Sequence, residues 1–579
     1  MLTTPWGERL DESNVLPEYP RPQLRRNSYL NLNGRWEYAI TDSGAEPERY
    51  DGTILVPFSP ESALSGVQRA LLSHQTLWYR RELPLWDGFV PDGGRLLIHF
   101  GAVDQEAVVT LNGVEVCRHT GGYTSFSADL TDALSQRNIL VVRVRDDTDG
   151  SFHSRGKQKT KRGGIWYTPQ SGIWQTVWLE AVPARHVSGL RIVPFPASAE
   201  VELCVECAES LPCEVSLLGR THALTANAPT RLPMPDYRPW SPEDPYLYEF
   251  SVTLGEDRVD SYFGMRFISV QSDSQGVKRL YLNGKPYFHN GLLDQGYWPD
   301  GLYTAPSDEA MIFDIQTAKN LGYNMLRKHI KLEPLRWYYH CDRLGMLVWQ
   351  DMVNGGGKYR FATISTPLIT GVHRKDTNHR AFAREAAQGR AEYLREMEET
   401  VRQLGNAPSI VLWVPFNEGW GQFDSGDVCN RLRALDPTRV IDHASGWHDQ
   451  GIGELKSLHV YFMPYRFKPD KKGRAVVLSE FGGYNLREAG HCYSDTDFGY
   501  KKLPGRAALW AAYARLFERE ILPAIARGLS AAVYTQLTDV EDELNGVMTY
   551  DRRIIKLPAA ELRALNRRVL EKACTASQS

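Results

Sequence analysis

The chain has 579 residues, of which 42% are hydrophobic and 24% charged, with a formal net charge of −3. A chain of this length and ordinary globular composition is expected to divide into roughly three or four domains. The near-neutral charge gives no basis for binding nucleic acid or an anionic membrane surface. The N-terminus lacks the features of a signal peptide and no run of ~18 apolar residues is present, so we expect a cytoplasmic protein without a membrane span.

The first two predicted domains are rich in short strands. Within residues 1–183, apolar and polar residues alternate in segments such as 77–83. Asn112 and Gly113 separate two apolar runs, which predicts a hairpin because both residues tolerate positive φ. We therefore expect a jelly-roll β-sandwich over 1–183. Short strands recur at close spacing over 184–272, which predicts an immunoglobulin-like sandwich.

The third predicted domain, residues 273–579, alternates strands with helices. Eight such strands in about 300 residues favour a closed (β/α)₈ barrel over an open parallel sheet. One long helix is predicted over 378–404. Neither a G-x-G-x-x-G motif nor a phosphate-binding loop follows a strand, which argues against a nucleotide-dependent enzyme. We expect no cofactor.

Two apolar runs end in polar residues that could carry chemistry. The run 410–416 leads into Asn417 and Glu418, and the run 475–478 leads into Ser479 and Glu480. By the strand count, Glu418 ends the fourth barrel strand and Glu480 the seventh, so both open onto one face, where barrel enzymes place their active sites. Two facing carboxylates fit glycoside hydrolysis, with a separation of ~5–5.5 Å for retention of configuration and ~6.5–9.5 Å for inversion. The sequence leaves that distance open, and each Glu alone would more often be a surface residue.

Further polar and aromatic residues follow the predicted barrel strands. They are Arg327, His329, Asp351, Asp442, His443, Trp447, His459, Tyr461, Gln536 and Asp539. Singly, each fits a buried ion pair or a packed side chain, but together they suit a ligand with many hydroxyl groups. Arg327 could also lower the pKa of a neighbouring carboxylate. Trp420 and Trp447 could stack on a sugar or simply pack the barrel.

Other hydrolytic chemistries find little support in the sequence. An H-E-x-x-H motif and a G-x-S-x-G motif are both absent, which argues against zinc and serine hydrolases. The eight cysteines are dispersed and do not require a disulfide scaffold. We expect no metal ligands.

The sequence resembles glycoside hydrolase family 2 over nearly its whole length. The similar pieces are 32–36, 78–81, 100–104, 171–174, 263–266, 282–286, 324–329, 416–418 and 479–482. The resemblance implies a jelly-roll domain, an immunoglobulin-like domain and a catalytic TIM barrel. It departs from the family at the end of the eighth strand, where Gln536 lies in a segment that often carries a tryptophan, and the Asn-Lys pair by which glucuronidases recognise a carboxylate is not evident.

The resemblance also implies a function. A retaining exo-glycosidase would use Glu418 as general acid/base and Glu480 as nucleophile, with Asn417 binding the sugar 2-hydroxyl and Arg327 supporting the nucleophile. His329, Asp351, Trp447, His459, Tyr461 and Gln536 are expected to bind substrate. A β-galactosidase-like specificity is favoured, with β-glucuronidase, β-mannosidase, another glycosidase, a transglycosylase or a non-catalytic carbohydrate-binding protein as alternatives. The partner is then a glycoside or oligosaccharide, and formation of a homo-oligomer is left open.

Overall fold

The first domain is a sandwich of two antiparallel sheets. The computed structural model describes residues 2–578. One sheet contains Tyr29–Asn31, Val177–Val182, Arg95–Phe100 and Phe126–Asp129. The other contains Gly52–Val56, Gly34–Thr41, Thr76–Glu82, Ile139–Arg145, Glu106–Leu111 and Val114–Thr120. A short pair joins Val103–Asp104 to Gly172–Ile173. The hairpin at Asn112 and Gly113 is confirmed, since Leu111 pairs with Val114 and both turn residues have positive φ.

The second domain is also a sandwich. One sheet contains Gly189–Phe195, Glu200–Glu206 and Thr230–Pro233. The other contains Arg220–Thr225, Pro212–Leu217, Tyr248–Leu254 and Asp257–Phe263. Burial alternates strictly along Pro212–Leu217, as expected for a strand with one face in the core. A small sheet of Ile268–Ser272, Lys278–Leu282 and Lys285–Pro286 follows. Short 3₁₀ turns occur at Gly7–Arg9, Pro22–Leu24, Thr131–Ala133 and Pro196–Ser198.

The third domain is a barrel of eight parallel strands, which we number 1 to 8 in chain order. They are His289–Asp294, Met325–Lys328, Leu347–Asp351, Ile410–Val414, Val440–Ile441, Leu455–Val460, Ala475–Gly482 and Leu529–Thr535. Hydrogen-bonded pairing runs from strand 6 through 7, 8, 1, 2, 3 and 4 to strand 5, so within residues 2–578 the barrel is open only between strands 5 and 6. Strands 3, 4, 7 and 8 are buried along their whole length, which explains why their sequences are largely apolar.

Helices and short elements fill the connections between the barrel strands. The helices are Asp308–Asn320, Leu335–Leu344, Phe361–Ile364, Pro367–Thr370, Ala387–Leu404, Ser425–Leu435, Arg506–Leu516, Leu522–Arg527 and Ala559–Gln578, with a π-helical turn at Phe517–Ile521. Tyr484–Asn485 pairs with Lys501–Lys502. Ser307 caps the first helix by accepting from the Ala310 amide at 3.3 Å. In the part of the chain described, no helix is both long and apolar enough to cross a membrane.

The fold class predicted from sequence, two sandwiches followed by a barrel, is confirmed. The boundaries 1–183, 184–272 and 273–579 stay predictions. The predicted start of the long helix at residue 378 is wrong, because the helix begins at Ala387. Ala383 has φ of +58°, outside the helical region, and Arg384 Nε donates to the Gly421 carbonyl at 2.9 Å. These contacts hold the preceding segment against the loop after strand 4.

Arg266 joins the second domain to the barrel. Its guanidinium donates to the carbonyls of Pro408 at 3.0 Å, Ile410 at 2.8 Å and Thr438 at 3.2 Å. Burial lowers the pKa of Arg266 to about 9. The three carbonyl contacts offset part of the cost of burying the guanidinium. The contact fixes the beginning of strand 4, whose other end leads to Glu418.

Candidate active site

Side chains from several barrel strands meet at the carboxyl end of the barrel. Arg327 lies in strand 2, Glu480 in strand 7, and Glu418 in the turn that follows strand 4. The prediction that Glu418 and Glu480 end their strands is wrong by a few residues, because strand 4 ends at Val414 and strand 7 continues to Gly482. Glu418 has φ of +51°, a left-handed conformation that non-glycine residues adopt rarely and that is often found at functional sites.

Arg327 is the central cation of the site and has no exposed side-chain surface. Its Nε and Nη2 donate to the two oxygens of Asp351, each at 3.0 Å, in a bidentate pair. Nη1 lies 3.2 Å from Glu480 Oε1, and Nη2 also donates to Asn417 Oδ1 at 2.9 Å. One guanidinium therefore fixes the positions of three other candidate residues.

His459 lies between the two candidate catalytic carboxylates. Its Nδ1 is 2.8 Å from Glu418 Oε1 and 3.4 Å from Glu480 Oε2. Its Nε2 is 2.8 Å from the Ser445 hydroxyl. Gly446, with φ of +91°, passes so close that a Cβ there would lie 2.8 Å from the ring nitrogen Nδ1. The glycine makes room for the imidazole between the carboxylates.

The separation of the two carboxylates is short. One oxygen of Glu418, one oxygen of Glu480 and a nitrogen of His459 all lie within 4.8 Å of one another. Oxygens within 4.8 Å of each other are consistent with the ~5–5.5 Å between the carboxyl groups of glycosidases that retain configuration, and are closer than the ~6.5–9.5 Å of those that invert it. The geometry favours the retaining alternative that the sequence left open.

The same three residues also form a potential set of metal ligands, the only such group among residues 2–578. Both ring nitrogens of His459 already lie at 2.8 Å from hydrogen-bonding partners. A metal ion would need one of those nitrogens as a neutral, unprotonated donor. The ring as placed suits a hydrogen-bonding role better than coordination.

The environments of the two carboxyl groups shift their pKa values in opposite directions. Burial raises the pKa of Glu418, and the negative charge of Glu480 raises it further, against the hydrogen bond from His459. Burial alone would also raise the pKa of Glu480, but its interactions with His459, Arg327 and His329 and the hydrogen bond from Tyr461 outweigh burial and lower it. One group is thus favoured as an acid and the other as a carboxylate.

Asn417 presents an unused donor to the site. Its Oδ1 accepts from Arg327, and its backbone amide donates to Asn354 Oδ1 at 3.1 Å. Its Nδ2 is buried without a partner among the described residues. A buried amide nitrogen of this kind carries a desolvation cost that a ligand oxygen would relieve.

Tyr461 completes the surroundings of Glu480. Its hydroxyl donates a short hydrogen bond to Glu480 Oε2 and lies 3.0 Å from the Thr535 hydroxyl. Its ring stacks on Tyr500 with centroids 3.8 Å apart. Tyr500 lies in the segment after strand 7 and was not predicted from the sequence.

Two predicted substrate-binding residues have their polar atoms occupied within the protein. Asp351 is fully buried by Arg327 and by His329, whose Nδ1 lies 2.8 Å from Asp351 Oδ2. Gln536 is fully buried as well, accepting from Gln295 at 2.8 Å and donating to Asn545 at 2.8 Å. Both residues are placed to hold neighbours rather than to reach a ligand.

The two tryptophans differ in their surroundings. Trp447 donates to the Ile364 carbonyl at 3.1 Å and its ring lies 5.3 Å from that of His459. Trp420 packs on Trp166 at 5.2 Å. Trp166 comes from the first domain, in a segment that sequence reasoning did not connect with the barrel. The sequence feature that could have drawn attention to Trp166 is the run of basic residues just before it.

Two family models match the chain. The model described as "Glycosyl hydrolases family 2, TIM barrel domain" matches residues 275–477, and "Glycosyl hydrolases family 2" matches 197–266. Over these two ranges the chain is similar to glycosyl hydrolase family 2. The barrel match includes Arg327, Asn417 and Glu418 and ends three residues before Glu480.

Curated relatives of the chain carry two kinds of name. A "Beta-galactosidase" of Thermoanaerobacter pseudethanolicus is 23% identical over 394 residues, 62% of this chain and 48% of the relative. A "Beta-glucuronidase" of Chlorocebus aethiops is 24% identical over 492 residues, 73% of this chain and 70% of the relative. The chain spans about half the length of the first two matched relatives, 51% of one from Formosa agariphila and 48% of the Thermoanaerobacter protein.

Solved structures share the fold of the chain. A Ruminococcus gnavus β-glucuronidase aligns with a TM-score of 0.74 at 15% identity, covering 96% of this chain and 99% of that one. A β-galacturonidase from Eisenbergiella tayi, bound to galacturonate, aligns with a TM-score of 0.70 at 19% identity, with 96% and 99% covered. At these identities the similarity shows the fold alone.

Replacing Arg327 with Met tests whether this cation stabilises the site. We expect Arg327→Met to lower the free energy of unfolding by about 3–5 kcal/mol, because it leaves the carboxylates of Asp351 and Glu480 buried without their cation. Chemical denaturation followed by tryptophan fluorescence measures the loss. The double variant Arg327→Met/Asp351→Asn should recover part of it, since one buried charge is removed.

The matched control is Arg258→Met, whose side chain is 67% exposed. We expect that variant to unfold close to wild type. Equal stability of Arg327→Met and Arg258→Met would contradict the role assigned to Arg327.

Proposed function

We propose that the chain is a retaining exo-glycosidase that releases a terminal non-reducing sugar by double displacement. The observation that carries the proposal is the pair Glu418 and Glu480, with oxygens within 4.8 Å and pKa values shifted in opposite directions. The matches of residues 197–266 and 275–477 to glycosyl hydrolase family 2 models support the reaction class.

Glu480 is proposed as the nucleophile. Arg327 and Tyr461 each contact one of its oxygens and favour the ionised form. Its carboxylate attacks the anomeric carbon and forms an ester bond to the sugar. The bond from that carbon to the leaving oxygen breaks, and the proton held by Glu418 passes to the departing oxygen.

Glu418 then acts as a base in the second half of the reaction. It takes a proton from a water molecule, the water oxygen attacks the anomeric carbon, and the ester bond to Glu480 breaks. Once the sugar esterifies Glu480, that group is no longer negative, so the charge that raises the pKa of Glu418 is removed. This change converts Glu418 from acid to base at the step that needs it.

Asn417 is proposed to bind the sugar 2-hydroxyl. Its unpartnered Nδ2 is the free donor, while Arg327 fixes the amide through Oδ1. Hydrogen bonds to that hydroxyl strengthen in the transition state of this reaction. His329, His459, Tyr461 and Trp447 remain candidates for direct contact, whereas Asp351 and Gln536 are better placed to position other residues.

The exo-acting mode is supported by the narrow exposure of the pair. The side chain of Glu418 is 12% exposed and that of Glu480 is 6% exposed. Such a recess admits the end of a glycan more easily than an internal unit. The β-galactosidase-like specificity that the sequence favours competes with the uronosidases named among the relatives and similar structures.

The proposed nucleophile is tested by Glu480→Ala. We expect turnover of nitrophenyl β-glycosides to fall about 10⁴-fold or more, because no covalent intermediate forms. Azide should restore part of the rate and yield an α-glycosyl azide, identified by NMR. The matched control Glu518→Ala changes an exposed helix residue and should keep wild-type turnover. Wild-type turnover by Glu480→Ala would overturn the assignment.

The proposed acid/base is tested by Glu418→Gln with a series of leaving groups. We expect kcat/KM to fall about 10²–10⁴-fold for alkyl glycosides, which need protonation of the departing oxygen. Dinitrophenyl glycosides need no such help and should lose far less in the first step. A uniform loss across the series would contradict the role of Glu418, and sugar binding without any turnover by wild type would favour a carbohydrate-binding protein.

A further inference from the structure

A segment of the first domain, residues 152–168, lies across the carboxyl end of the barrel. The Arg155 amide donates to the Asn354 carbonyl at 2.8 Å, in the loop after strand 3. Arg162 forms an ion pair at 3.0 Å with Asp542, after strand 8. We call residues 152–168 the crossing segment. It is attached at both sides of the site and is therefore part of its wall.

The crossing segment is strongly basic although the chain as a whole is slightly acidic. Five of the eight residues 155–162 are basic: Arg155, Lys157, Lys159, Lys161 and Arg162. Most of these basic side chains have evident partners or are exposed to solvent. Arg155 donates to backbone carbonyls, Lys159 lies over the Trp166 ring at 4.1 Å, and Lys161 is exposed.

Lys157 is the exception, because its side chain is largely buried and its ammonium has few partners. Its side chain is 6% exposed, and Nζ lies 3.7 Å from Glu543 Oε2. Within residues 2–578 no hydrogen bond from Nζ is formed. The ammonium faces the rings of Tyr167 at 5.1 Å and Trp420 at 6.0 Å. An ammonium has three donors, so those of Lys157 remain available to a ligand.

Glu543 does not account for this ammonium by itself. Asn545 Nδ2 donates to Glu543 Oε1 at 2.9 Å, and the Tyr167 hydroxyl donates to Oε2. Both oxygens therefore have neutral donors within hydrogen-bond distance, while the ammonium of Lys157 stays at 3.7 Å. The lysine retains donors for a second anion.

Lys157 lies beside residues that surround the candidate catalytic pair. Trp420 lies 6.0 Å from its ammonium and 6.1 Å from the His329 ring. Burial raises the pKa of Glu418, and the charge of Lys157 opposes that rise. Arg327, the other cation deep in the recess, is already shared among Asp351, Glu480 and Asn417.

We propose that Lys157 binds the carboxylate of a uronic acid at the sugar position of the site, so that the first domain selects an anionic sugar. The proposal rests on the proposed glycosidase function of Glu418 and Glu480. An ammonium–carboxylate hydrogen bond is among the stronger polar contacts in proteins. Uronosidases among the similar structures agree with this substrate class.

The test compares pairs of nitrophenyl β-glycosides that differ only in a C5 carboxylate or hydroxymethyl group, namely glucuronide with glucoside and galacturonide with galactoside. The aryl leaving group is shared, so any difference reports the sugar position. We expect wild type to prefer one of the uronides. In Lys157→Gln, the ratio of kcat/KM for uronide over neutral glycoside should fall about 10–100-fold.

Two matched variants separate recognition from a structural role. Lys161→Gln makes the same change at an exposed position of the crossing segment and should leave the ratio unchanged. Lys157→Gln/Glu543→Gln removes both charges of the ion pair. If Lys157 only balances Glu543, the double variant regains the uronide preference. If Lys157 recognises the substrate, the double variant folds as wild type but still lacks the preference.

An unchanged ratio in Lys157→Gln, or a wild type that hydrolyses neutral glycosides and not uronides, overturns the proposal. Calorimetry with free D-glucuronate, D-galacturonate and D-glucose supplies a readout that does not need turnover. Uronate binding that is lost in Lys157→Gln would support the proposal even if wild type hydrolysed nothing, in which case the proposed glycosidase function fails alone. The proposal for Lys157 would be overturned if wild type neither bound uronates nor hydrolysed uronides.

Discussion

The site depends on a single buried guanidinium. Arg327 has no exposed side-chain surface, and its charge is shared between the carboxylates of Asp351 and Glu480 and the amide of Asn417. Burying a cation without such partners would be strongly unfavourable. Because the three partners lie on three different barrel segments, the pairing fixes Glu480 and Asn417 relative to each other. It also keeps Glu480 ionised, while burial and the charge of Glu480 favour the protonated form of Glu418.

Much of this arrangement could be predicted from the sequence, for a reason of barrel geometry. Parallel strands bring their carboxyl ends to one side, so polar residues that end apolar runs meet there without any long-range information. Six candidate residues were found in this way, and the structure places them together: Glu418, Glu480, Asn417, Arg327, His459 and Tyr461. Which partner each would contact was not accessible, since Asp351 and Gln536 also end strands yet use their polar atoms within the protein.

The parts that sequence reasoning missed depend on contacts between distant segments. Trp166 reaches Trp420 from the first domain, and Tyr500 stacks on Tyr461 from an irregular connection. No local periodicity reports such contacts. The predicted start of the long helix was wrong for the same reason, because the contact of Arg384 with Gly421 overrides the helical preference of the segment that contains Arg384. The basic run 155–162 was visible in the sequence, but its position over the barrel was not.

The short separation of the Glu418 and Glu480 carboxylates favours hydrolysis by double displacement. The most direct measurement is the anomeric configuration of the first product, followed by proton NMR during hydrolysis of a nitrophenyl β-glycoside and before mutarotation. The β-anomer should appear first, because two displacements at the anomeric carbon restore the original configuration. Initial release of the α-anomer would mean a single displacement by water, and would contradict the nucleophilic role proposed for Glu480.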